Sequence, residues 1–285
     1  MEPIKEPTPL VLVTSSPHMH CGLTIGKSMR EVMLALVPAI IASVYYFRMS
    51  AAIVMVTCVV SAIVFETICN KVMHKPNTVQ DGSAALTGLL LAMCLPASMP
   101  PLFAAMGSMF AIVVGKAVFG GLGCNIFNPA HIGRAILLAS FPQQMTNWVL
   151  PATAAASDAV STATPLAVMR ATEKIWQAGG AASAAKLPDL MNLFWGNVGG
   201  SLGETCVPAL VLGGLYLIYK KLIDWRIPVF YLVTVAILTG VYGAVMGYPS
   251  TFPLYHLFAG GLMIGAFFMA TDWVTSPITK KGKII

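Results

Sequence analysis

An all-α polytopic membrane protein is the fold class this sequence predicts, and three features predict it. First, 57% of its 285 residues are apolar and only 10% are charged, with a mean hydropathy of +0.78. A soluble domain carries about 25% charged residues, so water is not the main solvent of this chain. Second, the apolar residues gather into eight runs, at about 31–47, 52–69, 83–96, 101–118, 129–141, 204–219, 227–246 and 254–271. Third, the lysines and arginines are spread unevenly over the segments between those runs.

A polar lead, residues 1–30, carries Lys5, Lys27 and Arg30. Pro3, Pro7, Pro9 and Pro17 interrupt it, so it does not read as a cleavable signal. The first bundle half follows, residues 31–141. Its second run approaches the roughly 20 residues needed to cross a bilayer, as does the seventh run later in the chain. The third and fifth runs are shorter. Pro96, Pro100 and Pro101 separate the third from the fourth, and Gly120, Gly121 and Gly123 precede the fifth. Short segments broken by Gly and Pro read as half-helices, whose irregular backbone survives at membrane depth only inside protein or along a cavity. The sequence therefore predicts about eight transmembrane segments, some of them broken, around an internal site. A long polar loop, residues 142–200, then leads to a second bundle half, residues 201–285.

Charge sets the expected orientation. With the N-terminus cytoplasmic, the inside segments hold Lys5, Lys27, Arg30, Lys71, Lys75, Lys220, Lys221, Arg226, Lys280, Lys281 and Lys283. The outside segments hold Arg48, Arg170, Lys174 and Lys186, leaving Lys116 and Arg134 near the membrane core. This bias satisfies the positive-inside rule with both termini cytoplasmic and the 142–200 loop outside. It also accounts for the net charge of +6 without a nucleic-acid partner. The six cysteines are scattered without a CxxC pair and read as small buried apolar residues, not as a disulfide framework or cluster site.

The loop contains Asp158-Ala-Val-Ser-Thr-Ala-Thr-Pro-Leu166. Its Asp-x-x-Ser-x-Ala-Thr spacing resembles the attachment motif of flavin transferases, which join FMN through its phosphate to the last Thr, here Thr164. Asp158, Ser161 and Ala163 are then recognition residues, and Thr162 stands where the motif usually has Gly. The plain structural alternative is a Thr-Pro turn in a Ser/Ala-rich loop, and the pattern by itself leaves both open. A second motif is Gly120-Gly-Leu-Gly-Cys-Asn-Ile-Phe-Asn-Pro-Ala130. Asn128 suits an N-cap and Pro129 a first helical residue. A helix starting inside the membrane presents free N–H groups and a positive dipole end. Together with Asn125 and Asn128 it suits a planar polar ring such as flavin, or the asparagines merely satisfy broken backbone. As a dinucleotide fingerprint the glycines fail, since no βαβ unit surrounds them.

Ser201 and Glu204 have capping-box spacing before an apolar run. Asp81 reads as a cap; Asp272 follows the last run, where the helix dipole disfavours it, and is a candidate cofactor or cation contact. Glu66 and Lys116 lie within apolar runs and should face the bundle, not lipid. Arg134 is a candidate for holding the ring of a tethered FMN. His18 and His20 have ligand spacing but no partners, so no metal is expected.

With these residues in hand, the chain resembles the D-type membrane subunit of the Rnf-type ferredoxin:NAD oxidoreductases. More distantly, it is similar to the B-type membrane subunit of the sodium-pumping NADH:quinone oxidoreductase. The match runs in order from Ser16-Pro17-His18 through GGLGCNIFNPA, DAVSTATPL and GGSLGET to TDWVTSPITKKGK. The resemblance implies a covalent FMN on Thr164 and a second, non-covalent flavin, riboflavin, near Asn125, Asn128 and Asp272. It implies a bundle with inverted repeats in the bacterial cytoplasmic (inner) membrane, in contact with lipid and with the other subunits of the complex, and matured by a flavin transferase. Electrons would enter and leave through the FMN near the outer face and the membrane flavin, coupled to Na⁺ or H⁺ movement. Related sequences continue past Lys280-Lys-Gly-Lys283 into further spans, whereas this one ends at Ile285. Two other function classes remain: a cofactor-free channel or transporter for a small solute, and a structural anchor. Flavin content separates the first reading from both, and solute flux in vesicles separates the channel from the anchor.

Overall fold

A computed structural model describes residues 24–76, 78–151, 163–177, 187, 189–204 and 206–284. Among them the chain is helical, without a strand; one isolated bridge pairs Pro96 with Ser201. The fold class expected from the sequence thus holds at the level of an all-α membrane protein. Two helices are long and apolar enough to cross a membrane, Ile25–Val72 and Arg226–Met246, and a bent pair supplies a third candidate.

The first helix, α1 (Ile25–Val72), starts at Thr24, whose hydroxyl caps the Lys27 N–H at 3.3 Å. As one rod its 48 residues would extend about 72 Å, more than twice the hydrocarbon thickness. It is broken at Arg48, which sits at φ 52° and ψ −133°. Both ends of α1 return to the same turn. A Cβ on Gly26 would lie 3.7 Å from Asp81 Cα, and Glu66 accepts the Thr78 hydroxyl at 2.7 Å. The helix is therefore a hairpin folded at Arg48, in agreement with the two apolar runs on either side of that residue.

The next helix, α2 (Ser83–Met93), is short and mostly buried. It lies close against the second arm of α1, for a Cβ on Gly88 would come within 2.6 Å of the Cys58 carbonyl. Small residues permit such close crossing where lipid supplies no hydrophobic drive. The turn after it ends at Pro100, which opens α3 (Pro101–Ile112), and α3 runs on through a π turn, Val113–Ala117. Gly120, Gly121 and Gly123, all at positive φ, then redirect the chain to α4 (Pro129–Ser140). Within residues 142–200 the described parts form α5 (Pro142–Thr146), α6 (Pro165–Gln177) and α7 (Leu190–Trp195).

The second half contains α8 (Val207–Tyr219), α9 (Arg226–Met246), α10 (Phe252–Phe258) and α11 (Leu262–Ile264), the last continued by a π turn, Gly265–Met269. The final apolar run is not one straight helix: it bends by 65° between α10 and α11, with Gly260 at φ 72°. The Ser201–Glu204 pair does interact, the Glu204 carboxylate bonding back to the Ser201 hydroxyl and backbone N–H, but it does not cap the long helix that follows. Those residues make a 3-10 turn, Leu202–Glu204, and α8 starts later, with Cys206 at its N-cap. The turn is held from elsewhere in the chain. Leu202 N–H donates to the Leu95 carbonyl at 3.0 Å, and Ser43 Oγ donates to the Leu202 carbonyl at 2.6 Å. Irregular backbone from both halves thus meets in the bundle interior, where Leu95 and Leu202 have no exposed surface. Burial in protein is the condition under which such backbone is tolerated at membrane depth.

Candidate functional site

Polar groups from both halves of the chain surround a cavity of about 270 Å³. Two of its walls are helix faces. Ile25, Ser28, Met29 and Val32 come from α1, and Ser83, Leu86, Thr87 and Leu90 from α2, both in the three-and-four spacing that puts side chains on one stripe. The remaining wall carries Asn125 and Asn128 from the glycine-rich loop, Leu217 and Leu222 from the end of α8, and Phe268, Asp272 and Trp273. Lys116 and Phe268 both lie on π turns, one in each half of the chain. Such turns misalign the backbone ladder and occur frequently at functional sites.

Three residues singled out in the sequence therefore share one cavity: Asn125, Asn128 and Asp272. Asn128 caps α4 by accepting the Ala130 N–H at 3.0 Å, as its position before Pro129 predicts. Asn125 is 6% exposed; its amide donates to the Phe127 carbonyl at 3.1 Å and is hydrogen-bonded to Asp272. The Asp272 carboxylate also accepts from Thr275 at 3.3 Å, so it begins the turn after the last helix instead of ending that helix. Trp273 is fixed by its indole N–H, which donates to the Leu222 carbonyl at 2.8 Å.

Behind this wall runs a polar chain that sequence reading assigned only in part. Lys116 pairs with Glu66 at 2.7 Å, both nearly inaccessible, and donates to Ser83 Oγ at 2.7 Å. Ser83 is held in turn by Asp81, which accepts its backbone N–H at 2.7 Å, the capping role expected of Asp81. On the far side of Glu66, Thr78 donates to the carboxylate and accepts from Asn70 at 3.0 Å. That Glu66 and Lys116 face inward follows from the cost of either charge against lipid. That they face each other required the fold, because they are 50 residues apart.

Arg134 lies elsewhere. Its charge acts on His131, Cys94 and Glu204, and it lines neither this cavity nor the surroundings of Thr164 among the described residues. Of the loop motif, Asp158 and Ser161 lie outside the described residues, as do Thr162, His18 and His20. Ala163 is exposed and Thr164 half-buried. Thr164 is the first residue before α6. Its hydroxyl oxygen accepts the Ala167 N–H at 3.2 Å, and its carbonyl accepts the Val168 N–H at 3.0 Å.

Pro165, Met169 and Thr172 form the buried stripe of α6, and Trp176 stacks on Tyr248 with ring centroids 4.8 Å apart. Tyr248 follows the C-terminal end of α9, whereas Leu222 and Asp224 precede its N-terminal end. The far end of α6 and the cavity thus lie at opposite ends of α9, a helix about 31 Å long, while Leu166, two residues after Thr164, packs beside Gly260 at the α10–α11 bend. The charges divide in the same way. Lys27, Lys71, Lys75, Lys220, Arg226 and Lys283 cluster at the cavity end, where Lys75 reaches the Gly120 carbonyl, Lys220 reaches Glu31, and Lys283 reaches Asp224. Arg48, Arg170 and Lys174 lie toward the other end.

The family model described as NQR2, RnfD, RnfE matches residues 12–285. The D-type subunit of a proton-translocating ferredoxin:NAD(+) oxidoreductase complex from Clostridium ljungdahlii is 49% identical over 276 residues, 96% of this chain and 82% of that protein. Its Na(+)-translocating counterpart from Acetobacterium woodii is 43% identical, over 96% of this chain and 80% of its own. The corresponding subunit of an ion-translocating oxidoreductase complex from Rhodobacter capsulatus is 40% identical, over 94% and 80%.

Proposed function

The chain belongs to the NQR2, RnfD, RnfE family, and from that premise we propose that it is the flavin-carrying membrane subunit of an ion-translocating ferredoxin:NAD oxidoreductase complex. It is a part of that translocase and acts with the other subunits, not alone. Two of its relatives are named for different ions, H⁺ and Na⁺, so similarity of this degree does not carry the coupling ion across.

The observation that supports the reading most is the convergence of Asn125, Asn128 and Asp272 on one cavity with Lys116. Its volume, about 270 Å³, is close to the lower end of the roughly 300–1,000 Å³ of ligand pockets. The donor set suits the polar edge of a riboflavin ring: the amide of Asn128 remains available beyond its capping oxygen, and Lys116 brings a cation already balanced by Glu66. Met29, Leu86, Leu90 and Phe268 supply apolar walls that exclude water from the ring faces. At the other end, Thr164 presents its oxygen at the N-terminus of a 13-residue helix. A phosphoester there would meet the unpaired N–H groups of the first turn and the positive end of the helix dipole. A flavin bound at either place supplies one- and two-electron exchange, and the protein contributes position and electrostatic environment.

We extend the reading to topology: about eight segments in inverted repeats, both termini cytoplasmic, residues 142–200 outside the inner membrane. What supports it is one broken element in each half, α2 with its buried turn and the α10–α11 bend, together with the basic end of the bundle.

Flavin analysis tests the reading. The protein is expressed with a flavin transferase, denatured, and its gel band viewed under ultraviolet light; flavin released by acid is measured separately. The expected result is a fluorescent wild type, a dark Thr164→Val band, an intact mass one FMN less water above the bare chain, and acid-released flavin from both. A dark wild type beside an active transferase control sinks the covalent cofactor. Absence of released flavin sinks the second and leaves the cavity to solute transport, which flux in vesicles measures.

A further inference from the structure

The face of α6 that follows Thr164 forms one wall of a second, shallower space of about 440 Å³. Leu166, Arg170 and Glu173 line it from α6, at the spacing of one helical stripe beginning two residues after Thr164. The facing wall holds Leu238 and Tyr242 from α9, and Phe252 and His256 from α10. Its volume falls within the range of small-molecule sites, and its lining has their character: aromatic and aliphatic walls with a few polar groups.

One of those polar groups is unexplained by the fold. Among the described residues only two buried side-chain nitrogens lack a hydrogen-bond partner, and one is His256 Nε2. The His256 ring is fixed edge-on against Phe252, with centroids 4.6 Å apart, and lies within electrostatic reach of Glu173. An unsatisfied buried nitrogen in a native protein calls for a missing partner. The other orphan, Trp176 Nε1, belongs to the neighbouring stripe of α6, beside a void of about 10 Å³ that has room for little more than one water.

We propose that this groove between α6 and the α9–α10 junction seats the isoalloxazine ring of the FMN carried by Thr164, with Tyr242, Phe252 and His256 as its inner wall and Arg170 at its outer edge. The inference rests on the covalent attachment proposed above and adds the residues that hold the ring. Reach is in its favour. Residues 166 to 173 advance about 10 Å along the helix, so a ring on a flexible phosphate–ribityl chain at the helix start passes along this face. Chemistry is too, because a flat ring with polar atoms on one edge needs flat apolar contact and a few fixed hydrogen-bonding groups. A tethered ring seated this way is shielded from water on one face and sits beside a guanidinium, which favours electron density on it. No sequence motif marks this site. Its only trace is the amphipathic spacing of residues 165–176 directly after the Thr-Pro pair.

The test uses the full chain loaded with FMN and purified in detergent, with the signal of acid-released flavin subtracted by comparison with Thr164→Val. Two variants alter the wall that faces α6, one on each of its helices: Leu238→Trp fills the groove, and His256→Phe removes the orphan nitrogen while keeping a flat ring. Loading is read first, from fluorescence of the denatured band, and then iodide quenching and the visible absorption of the native protein. The expected result is normal loading in both, a several-fold rise of the quenching constant in Leu238→Trp, and a shifted absorption band in His256→Phe. Normal loading with wild-type quenching and absorption in both variants overturns the groove and leaves the attachment standing. A dark wild-type band removes the attachment, and the groove with it. Should Leu238→Trp fail to fold, Tyr242→Ala opens the same wall and carries the same quenching readout.

Discussion

The two ends of the bundle present polar groups by different means. At the basic end the cavity is cut into the core, and its polar atoms are tied to helices from both halves of the chain: Lys116 to Glu66 and Ser83, Asn125 to Asp272, Trp273 to Leu222. Toward the other end Thr164 starts α6, and among the described residues its hydroxyl bonds only the first turn of that helix. In the topology proposed above, the difference follows from solvent. A charge inside the bilayer must be neutralised by the fold itself, whereas a side chain at the water side needs only a local partner. Changes to the buried pair at the cavity end should therefore cost the whole molecule, and changes at Thr164 should cost a cofactor and no more than a helix cap.

The largest effect expected is at the buried pair. Lys116→Met leaves Glu66 charged with no cation, and breaking one side of a buried pair costs about 3–5 kcal/mol. The expected outcome is a marked fall in the thermal unfolding midpoint in detergent. Replacing both residues, Glu66→Leu with Lys116→Met, should recover most of that loss, because a well-packed apolar pair is close to neutral. A double variant as unstable as the single one would show that Thr78 and Ser83 depend on the charges, and that the cavity wall is one cooperative network.

How far the sequence announced these sites depends on whether the signal was chemical or tertiary. Glu66, Lys116 and Asp272 were legible because an ionisable group beside apolar runs needs an inward explanation. Asn128 before Pro129 was legible because capping is local, and Arg48 marked the hairpin because it divided two runs. The Glu66–Lys116 pairing was not legible, since nothing local joins residues so far apart. Ser201 and Glu204 have the capping spacing and do bond each other, yet they close a 3-10 turn tied also to Leu95 and Ser43, which sequence spacing cannot report. The bend between α10 and α11 was hidden by continuous hydrophobicity, with Gly260 its single local clue. His256 was missed because its significance lies in a partner it lacks.

A pair of cap replacements sharpens the contrast at intermediate size. Asn128→Ala removes the cap of α4 and Thr164→Val that of α6, each worth about 0.5–2 kcal/mol. Stability should fall by similar amounts, but the cofactors should part: Asn128→Ala loses acid-released flavin and keeps the fluorescent band, and Thr164→Val does the reverse. Loss of both flavins in either variant would mean that the two ends are coupled through the bundle and are not independent sites.

The smallest effect expected is electrostatic and lies just outside the cavity end, at Asp224 between α8 and α9. The Arg226 backbone N–H, then Lys283 and the Arg226 side chain, hold its carboxyl below the ordinary aspartate range against the opposing pull of partial burial. The two cations lie 3.1 and 3.3 Å from its Oδ2, and its side chain is 20% exposed. A depressed folded value means that folding favours the ionised form. Its stabilisation is complete above the unfolded value, about pH 3.9, and disappears as pH falls through the lower folded value. Partly exposed pairs of this kind contribute under about 1 kcal/mol. Unfolding midpoints of the wild type and Asp224→Asn, compared from pH 7 down to pH 3, should differ by a small constant amount at the upper end and converge in the acid range. A difference that stays constant down to the acid end would place the contribution of Asp224 outside its charge; the hydrogen bond from the Arg226 N–H is not its source, because an Asn amide oxygen accepts that N–H as well.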